Sequence, residues 1–215
     1  LGDITLGLVF LEGYSGYKEF VLFISRAAKL FLEYKTNDTY FSKIAFKEIT
    51  KGEISFGSLQ SNLIIVKLSP WYRSSEFALE VSTTESAKEF PYVYDYTYGA
   101  NANGSMQITN SGDSDAYLSL KIIGRMKNPY VIINKNGETI GTFRLFYEGE
   151  DIVSMSSIPE DEYIKVADEN AYQLQDFTCK NFLTIPKGES EIVFYPGTSD
   201  PATCYLKLEE SFEGV

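Results

Sequence analysis

The chain has 215 residues, 44% hydrophobic and 23% charged, with a net charge of -11 and an isoelectric point near 4.6. This is the composition of a folded chain and not of a disordered one, and its acidity argues against direct nucleic-acid binding, which needs clustered Lys and Arg. The sequence contains no histidine and only two cysteines, which removes the usual general base and most zinc sites.

The length suits two ordinary domains or one large all-β domain. Aromatic residues make up 15% of the chain, with 16 Tyr and 15 Phe, and this favours strands. No apolar run reaches the roughly 18 residues needed to span a membrane. The run at 20–24 (FVLFI) is too short, and lacks the cleavage pattern, for a secretion signal. The chain opens on Leu1 and not Met, so a preceding N-terminal segment is expected.

Ile4 to Phe10 reads as a strand closed by Glu12-Gly13. A helix follows, because Tyr17, Phe20, Val21, Ile24, Ala27, Ala28 and Phe31 share one face at helical spacing. Ser15 or Gly16 is expected to cap it, with Glu19 in the first turn. Leu22 and Phe23 lie off that stripe, so the helix is greasy on two sides. Phe20, Leu22 and Phe23 are therefore candidate subunit or partner contacts. Strands are then expected at Leu30–Tyr34, Tyr40–Ile49, Ile54–Phe56, Leu63–Leu68 and Phe77–Val81, completing a small α+β region. Trp71, the single tryptophan, reads as a core or hinge aromatic, with sugar stacking as the alternative.

The segment FPYVYDYTYG at 90–99 places Tyr92, Tyr94, Tyr96 and Tyr98 on one side of an extended chain. This stripe is a candidate aromatic contact surface, for a carbohydrate or a protein, or else the packing of a domain junction. Pro91 and the GANANG run at 99–104 mark a boundary, giving domains 1–90 and 91–215.

Beyond Gly104 the pattern is short strand, then polar turn, repeated to the end. Strands are expected at Ser105–Thr109, Ala116–Ile123, Tyr130–Asn134, Thr139–Tyr147, Ile152–Met155, Tyr163–Val166, Ala171–Leu174, Asn181–Ile185, Glu191–Tyr195 and Thr203–Leu208. Asn136-Gly137 is a two-residue hairpin turn. About ten strands with turns at this spacing make a β-sandwich or jelly roll.

No catalytic constellation emerges. The NSGDSD turn at 110–115 gathers oxygens as a calcium loop does, but lacks the EF-hand order and reads as a solvated turn. Glu160, Asp161 and Glu162 read as an exposed loop. Glu148, Glu150 and Asp151 sit in a turn, where two carboxyls are not held across a cleft. Cys179 and Cys204 allow a pair on neighbouring strands, two buried thiols being the simpler reading. No metal, cofactor or catalytic residue is assigned, and a non-enzymatic chain is expected.

The order of several short motifs carries a family resemblance. These are Leu30–Lys35 (LFLEYK), Lys51–Ile54 (KGEI), Ser69–Arg73 (SPWYR) and the 90–99 lead-in. Ile108, Asn110 and Gly112 follow, then Ile122-Ile123-Gly124, Asn128-Pro129, Asn136-Gly137-Glu138, Phe182-Leu183, Ile185-Pro186-Lys187-Gly188 and Ile192. Together they resemble the distal tail proteins of siphoviruses that infect Gram-positive bacteria. The resemblance departs from the family pattern at the start, where a strand-and-loop region is expected before the helix.

The resemblance implies a mainly β chain, with an N-terminal α+β ring-forming domain and a galectin-like sandwich. It further implies a hexameric ring in the virion's tail tip or baseplate, assembled in the bacterial cytoplasm. Its partners would be the tail-tube protein and the tail-associated lysin or receptor-binding proteins, with DNA passing through and no membrane insertion. A carbohydrate-binding sandwich recognising cell-wall polysaccharide is the competing expectation, and a fold alone does not decide it.

Overall fold

Apolar residues at every second position extend most of this chain into strands, as a computed structural model of residues 2–81 and 103–214 shows. In chain order the first elements are β1 (Asp3–Phe10), α1 (Tyr14–Arg26), β2 (Leu30–Lys35), β3 (Thr39–Ile49), β4 (Ile54–Ser55), β5 (Ser58–Lys67) and β6 (Trp71–Val81). Then come β7 (Gly104–Asn110), β8 (Ala116–Gly124), β9 (Met126–Lys127), β10 (Tyr130–Lys135), β11 (Glu138–Arg144) and β12 (Glu148–Gly149). The last are β13 (Val153–Ser156), β14 (Tyr163–Val166), β15 (Glu169–Asn170), β16 (Thr184–Ile185), β17 (Gly188–Tyr195) and β18 (Ala202–Phe212). They pack as two units, Leu1–Arg73 with Ser211–Val215, and Ser74–Glu210.

In the first unit β1, β5 and β3 are antiparallel neighbours, β2 extends the sheet beyond β3, and β4 pairs with β5. Eight consecutive cross-strand pairs, from Asp3↔Val66 to Phe10↔Leu59, fix the β1–β5 register. The only buried hydrophobics of this unit among the described residues are Leu59, Leu63 and Ile65. Alternate residues of β1 are only half covered, and α1 has no buried residue.

The second unit is a sandwich. One sheet runs β18-β8-β13-β14-β15, with β6 beside β18 and β16 beside β8; the other runs β11-β10-β17-β7. Inward residues of both sheets, among them Leu118, Leu120, Ile122, Val131, Ile133, Phe143, Ile192, Phe194 and Leu206, form one continuous core.

Several expected elements shift. The helix begins at Tyr14 after Gly13, whose φ of 60° turns the chain, and has no side-chain cap. Neither Ser15 nor Gly16 caps it, and its first turn holds no acidic residue. It ends at Arg26 because Ala27 is extended, so Phe31 leaves the helical stripe and pairs with Lys43 in the sheet. Ala171–Leu174 is a 3-10 turn over Tyr172–Leu174 and not a strand, with Leu174 N–H donating to the Ala171 carbonyl. Glu148-Gly149, read as a turn, pairs with β9. The expected 90/91 boundary lies outside the described residues. The division falls inside β6, because its alternation continues past Arg73 and carries Leu79 and Val81 into the sandwich core.

Both cysteines are free. Complete burial pushes the Cys204 thiol up to about 12, so it stays protonated and unreactive at neutral pH. A thiol reagent should therefore label the native chain at the half-buried Cys179 alone and reach Cys204 only after denaturation, as peptide mass mapping would show. Leu118→Ala, in the sandwich core, should cost about 2–5 kcal/mol in denaturant unfolding. Leu6→Ala, on half-covered β1, should cost clearly less in the dispersed chain.

Candidate interaction surface

The helix of the first unit lies against β1 through rings. Phe10 stands edge-on to Tyr17 at 5.7 Å and tilted to Phe20 at 5.5 Å. Its opposite side carries Leu22, 50% exposed, and Phe23, 65% exposed. With Glu19, Arg26 and Ala27 these two line an open groove of about 470 Å³. The three helix residues singled out in the sequence are thus divided by the helical turn. Phe20 faces its own sheet, while Leu22 and Phe23 face away from it.

Further apolar side chains of this unit are exposed: Leu11 at 82%, Val9, Phe31, Phe46 and Ile54. Phe56 is fully exposed at the tip of the β4–β5 hairpin. Ser55 pairs with Ser58, so the loop is Phe56-Gly57, and both have positive φ, 51° and 83°. That turn prefers Asn or Asp first, and a bulky aromatic there is strained. Solvation does not account for a strained, exposed phenylalanine; an apolar contact would. Sequence reading placed Phe56 at a strand end and missed it, although the KGEISFG run already contained the turn.

The other sequence candidates are locally engaged. Trp71 begins β6, 5.8 Å from the Tyr34 ring and 4.7 Å from Lys67 Nζ. In the 110–115 loop, Asn110 Nδ2 donates to the Ser114 and Ile185 carbonyls, and its Oδ1 accepts from Gly112 N–H. The buried Glu210 carboxylate accepts from Ser111 N–H at 2.7 Å and from Ser111 Oγ at 2.8 Å. The oxygens of this turn brace the loop. Glu148 pairs with Lys127 at 3.0 Å, and Asp151 accepts from the Tyr147 hydroxyl at 2.8 Å. Burial first, and that bond next, raise the Tyr147 hydroxyl above its ordinary value. Tyr92, Tyr94, Tyr96 and Tyr98 lie outside the described residues.

Phe23→Ser should leave the melting temperature of the dispersed chain nearly unchanged, within about 0.5 kcal/mol of stability. Phe10→Ala, which removes two ring contacts, should lower it measurably. A scanning fluorimetry series at low protein concentration separates the two.

Comparison with known proteins follows the same division. Residues 1–68 match the family profile of the distal tail protein N-terminal domain. No curated protein matches the sequence. The fold matches a chain of the phage P2 baseplate in its activated conformation with Ca, at TM-score 0.65 and 16% identity, over 100% of this chain and 81% of that one. The Sr form of that baseplate gives the same values. The SPP1 Dit protein, described as a paradigm of hub adsorption apparatus in Gram-positive infecting phages, matches at TM-score 0.63 and 8% identity, over 96% and 78% of the two chains. The family resemblance carried by the motifs is met by these likenesses: residues 1–68 match the N-terminal domain of distal tail proteins, and the chain shares its fold with the phage P2 baseplate chain and with SPP1 Dit.

Proposed function

We propose that this chain is a structural hub of a phage tail tip, assembling through its first unit into a hexameric ring between the tail tube and the receptor-binding or lysin machinery. The observation that supports this most is the mismatch within that unit. It forms a well-registered sheet and a helix, yet leaves Leu11, Leu22, Phe23 and Phe56 in solvent. Isolated apolar side chains on a surface are ordinary, but a helix side and a strained hairpin tip together mark a surface that another chain covers.

Copies of the same chain are the occupants the hub reading supplies, and a closed ring satisfies a head-to-tail contact without leaving a free end. A net charge of -11 suits a passage that DNA traverses without adhering. The chain acts in the virion, in the tail tip or baseplate, after assembly in the bacterial cytoplasm, and serves as scaffold and channel without catalysing a reaction. The tyrosine run at 92–98 is a second contact surface in this reading.

Light scattering and negative-stain imaging across a concentration series test the proposal. Ring particles, or mass rising with concentration toward six copies, are expected. The Leu22→Ser/Phe23→Ser double variant should weaken association by at least about tenfold, since buried interface anchors each contribute more than about 1 kcal/mol. A chain that stays monomeric even when mixed with its tube neighbour contradicts the hub reading.

A further inference from the structure

The first unit carries a knob and a groove, each unfilled in its own copy. The knob is Phe56. Pairing of Ser55 with Ser58 leaves Phe56-Gly57 as a two-residue turn, and both residues have positive φ, 51° and 83°. Asn or Asp suits the first position of such a turn, and an aromatic does not. The ring nevertheless stands fully in solvent.

The groove is the outward side of α1, about 470 Å³, with Leu22, Phe23 and Ala27 as its apolar floor. Glu19 stands about one turn before Phe23 and Arg26 about one turn after it. The floor therefore ends in a carboxylate on one side and a guanidinium on the other.

The two features lie at opposite ends of one helix. The hairpin meets α1 at its start: Ile54 Cδ1 lies 3.4 Å from where a β-carbon on Gly13 would stand, and Lys51 Nζ lies 4.4 Å from the Tyr14 ring centre. Phe23 is ten residues beyond Gly13, roughly 15 Å along the helix axis. Each copy thus carries one knob and one groove well apart, and a contact between two unlike patches runs head to tail.

The two surfaces match in chemistry. A buried phenyl ring removes about 150–250 Å² from water, and Leu22 and Phe23 offer the apolar surface to cover it. Glu53, exposed three residues before the tip, supplies a carboxylate for Arg26, and Lys51 supplies a cation for Glu19. A purely apolar occupant would strip Glu19 and Arg26 of water and return no partner. The joint is smaller than the roughly 1,200–2,000 Å² of a stable two-body interface, so its role is to select which surfaces meet.

We infer that the Phe56 tip of one copy seats against Leu22 and Phe23 of the next, anchoring a head-to-tail joint between copies of this chain. This rests on the hub reading for the presence of neighbouring copies, and adds which side chains meet.

Two measurements on the full-length chain test it. First, a Phe56→Cys chain and a Phe23→Cys chain, each also carrying Cys179→Ser, are mixed dilute, concentrated together and treated with a short bismaleimide. The reagent adds one thiol across each of its two alkenes. The mixture should give at least about tenfold more cross-linked dimer than either variant alone, because knob meets groove and not its like. Equal yields, or no dimer in the mixture, overturn the inference. Second, Phe56→Asn should raise the melting temperature of the dispersed chain, since Asn suits the turn, while weakening association at least about tenfold. Added to Leu22→Ser/Phe23→Ser, it should weaken association by less than about threefold more, because both remove one shared contact. Effects that multiply in full overturn the inference. Particle mass of the parent chain separates the two readings. Six-copy particles without the mixed cross-link sink the joint alone, and a mixed cross-link in particles that do not close at six sinks the hexamer alone.

Discussion

A β-sheet has two faces, and each apolar face must be covered by something. The second unit meets this requirement internally. Its two sheets turn alternate residues toward each other, and Phe143, Phe194, Leu118 and Ile133 are sealed between them. The first unit has one sheet and one helix of 13 residues, too little to close over β1, β3 and β5. Its stripes remain half covered although its hydrogen-bond register is complete. The sandwich is complete as a folding unit, whereas the first unit leaves Leu11, Leu22, Phe23 and Phe56 uncovered.

Buried polar side chains brace both units. In the sandwich, loops are held by buried side chains with their partners in place. Ser157 Oγ lies 2.6 Å from the Leu183 carbonyl and accepts from Leu118 N–H at 2.9 Å. Asn181 Nδ2 donates to the Asp176 carbonyl at 2.6 Å, while its Oδ1 accepts from Arg144 N–H. Bonds from Thr178 hold the Asp176 carboxyl below its ordinary range. Satisfied buried groups of this kind fix one arrangement, because the alternative is an unpaired group in a dry interior. In the first unit the comparable device is the pair Ser42 and Ser69, where Ser69 Oγ accepts from Lys43 N–H and Ser42 Oγ donates to the Ser69 carbonyl.

Much of this was legible from residues alone, because period-2 alternation survives into any sheet. The Asn136-Gly137 hairpin and the strands around 105–123 stand where alternation and turn residues put them. What was hidden depended on partners distant in sequence. Phe31 continues the helical stripe in sequence, but Lys43 across the sheet claims it as a strand residue. Tyr172–Leu174 has strand-like composition, and only its local carbonyl bonds make it a 3-10 turn. The exposure of Leu22 and Phe23 was readable because helix phase is local, whereas the side-chain rows of the sandwich sheet were not. Lys121, Ser154, Lys165 and Tyr205 become neighbours only through the pairing of four strands.

The incomplete first unit gives the hub reading a thermodynamic consequence. A surface that is apolar before association contributes little to the dispersed chain and much to the assembled one, so stability of that unit rises with occupancy by mass action. Phe56 sharpens the point. Its left-handed backbone costs on the order of 1–3 kcal/mol in the free chain, and nothing within the hairpin returns that energy. A contact that buries the whole ring returns about as much. In the hub reading, strain at the tip and exposure of its side chain are thus two sides of one arrangement, the hairpin being shaped for association and the sandwich for its own interior.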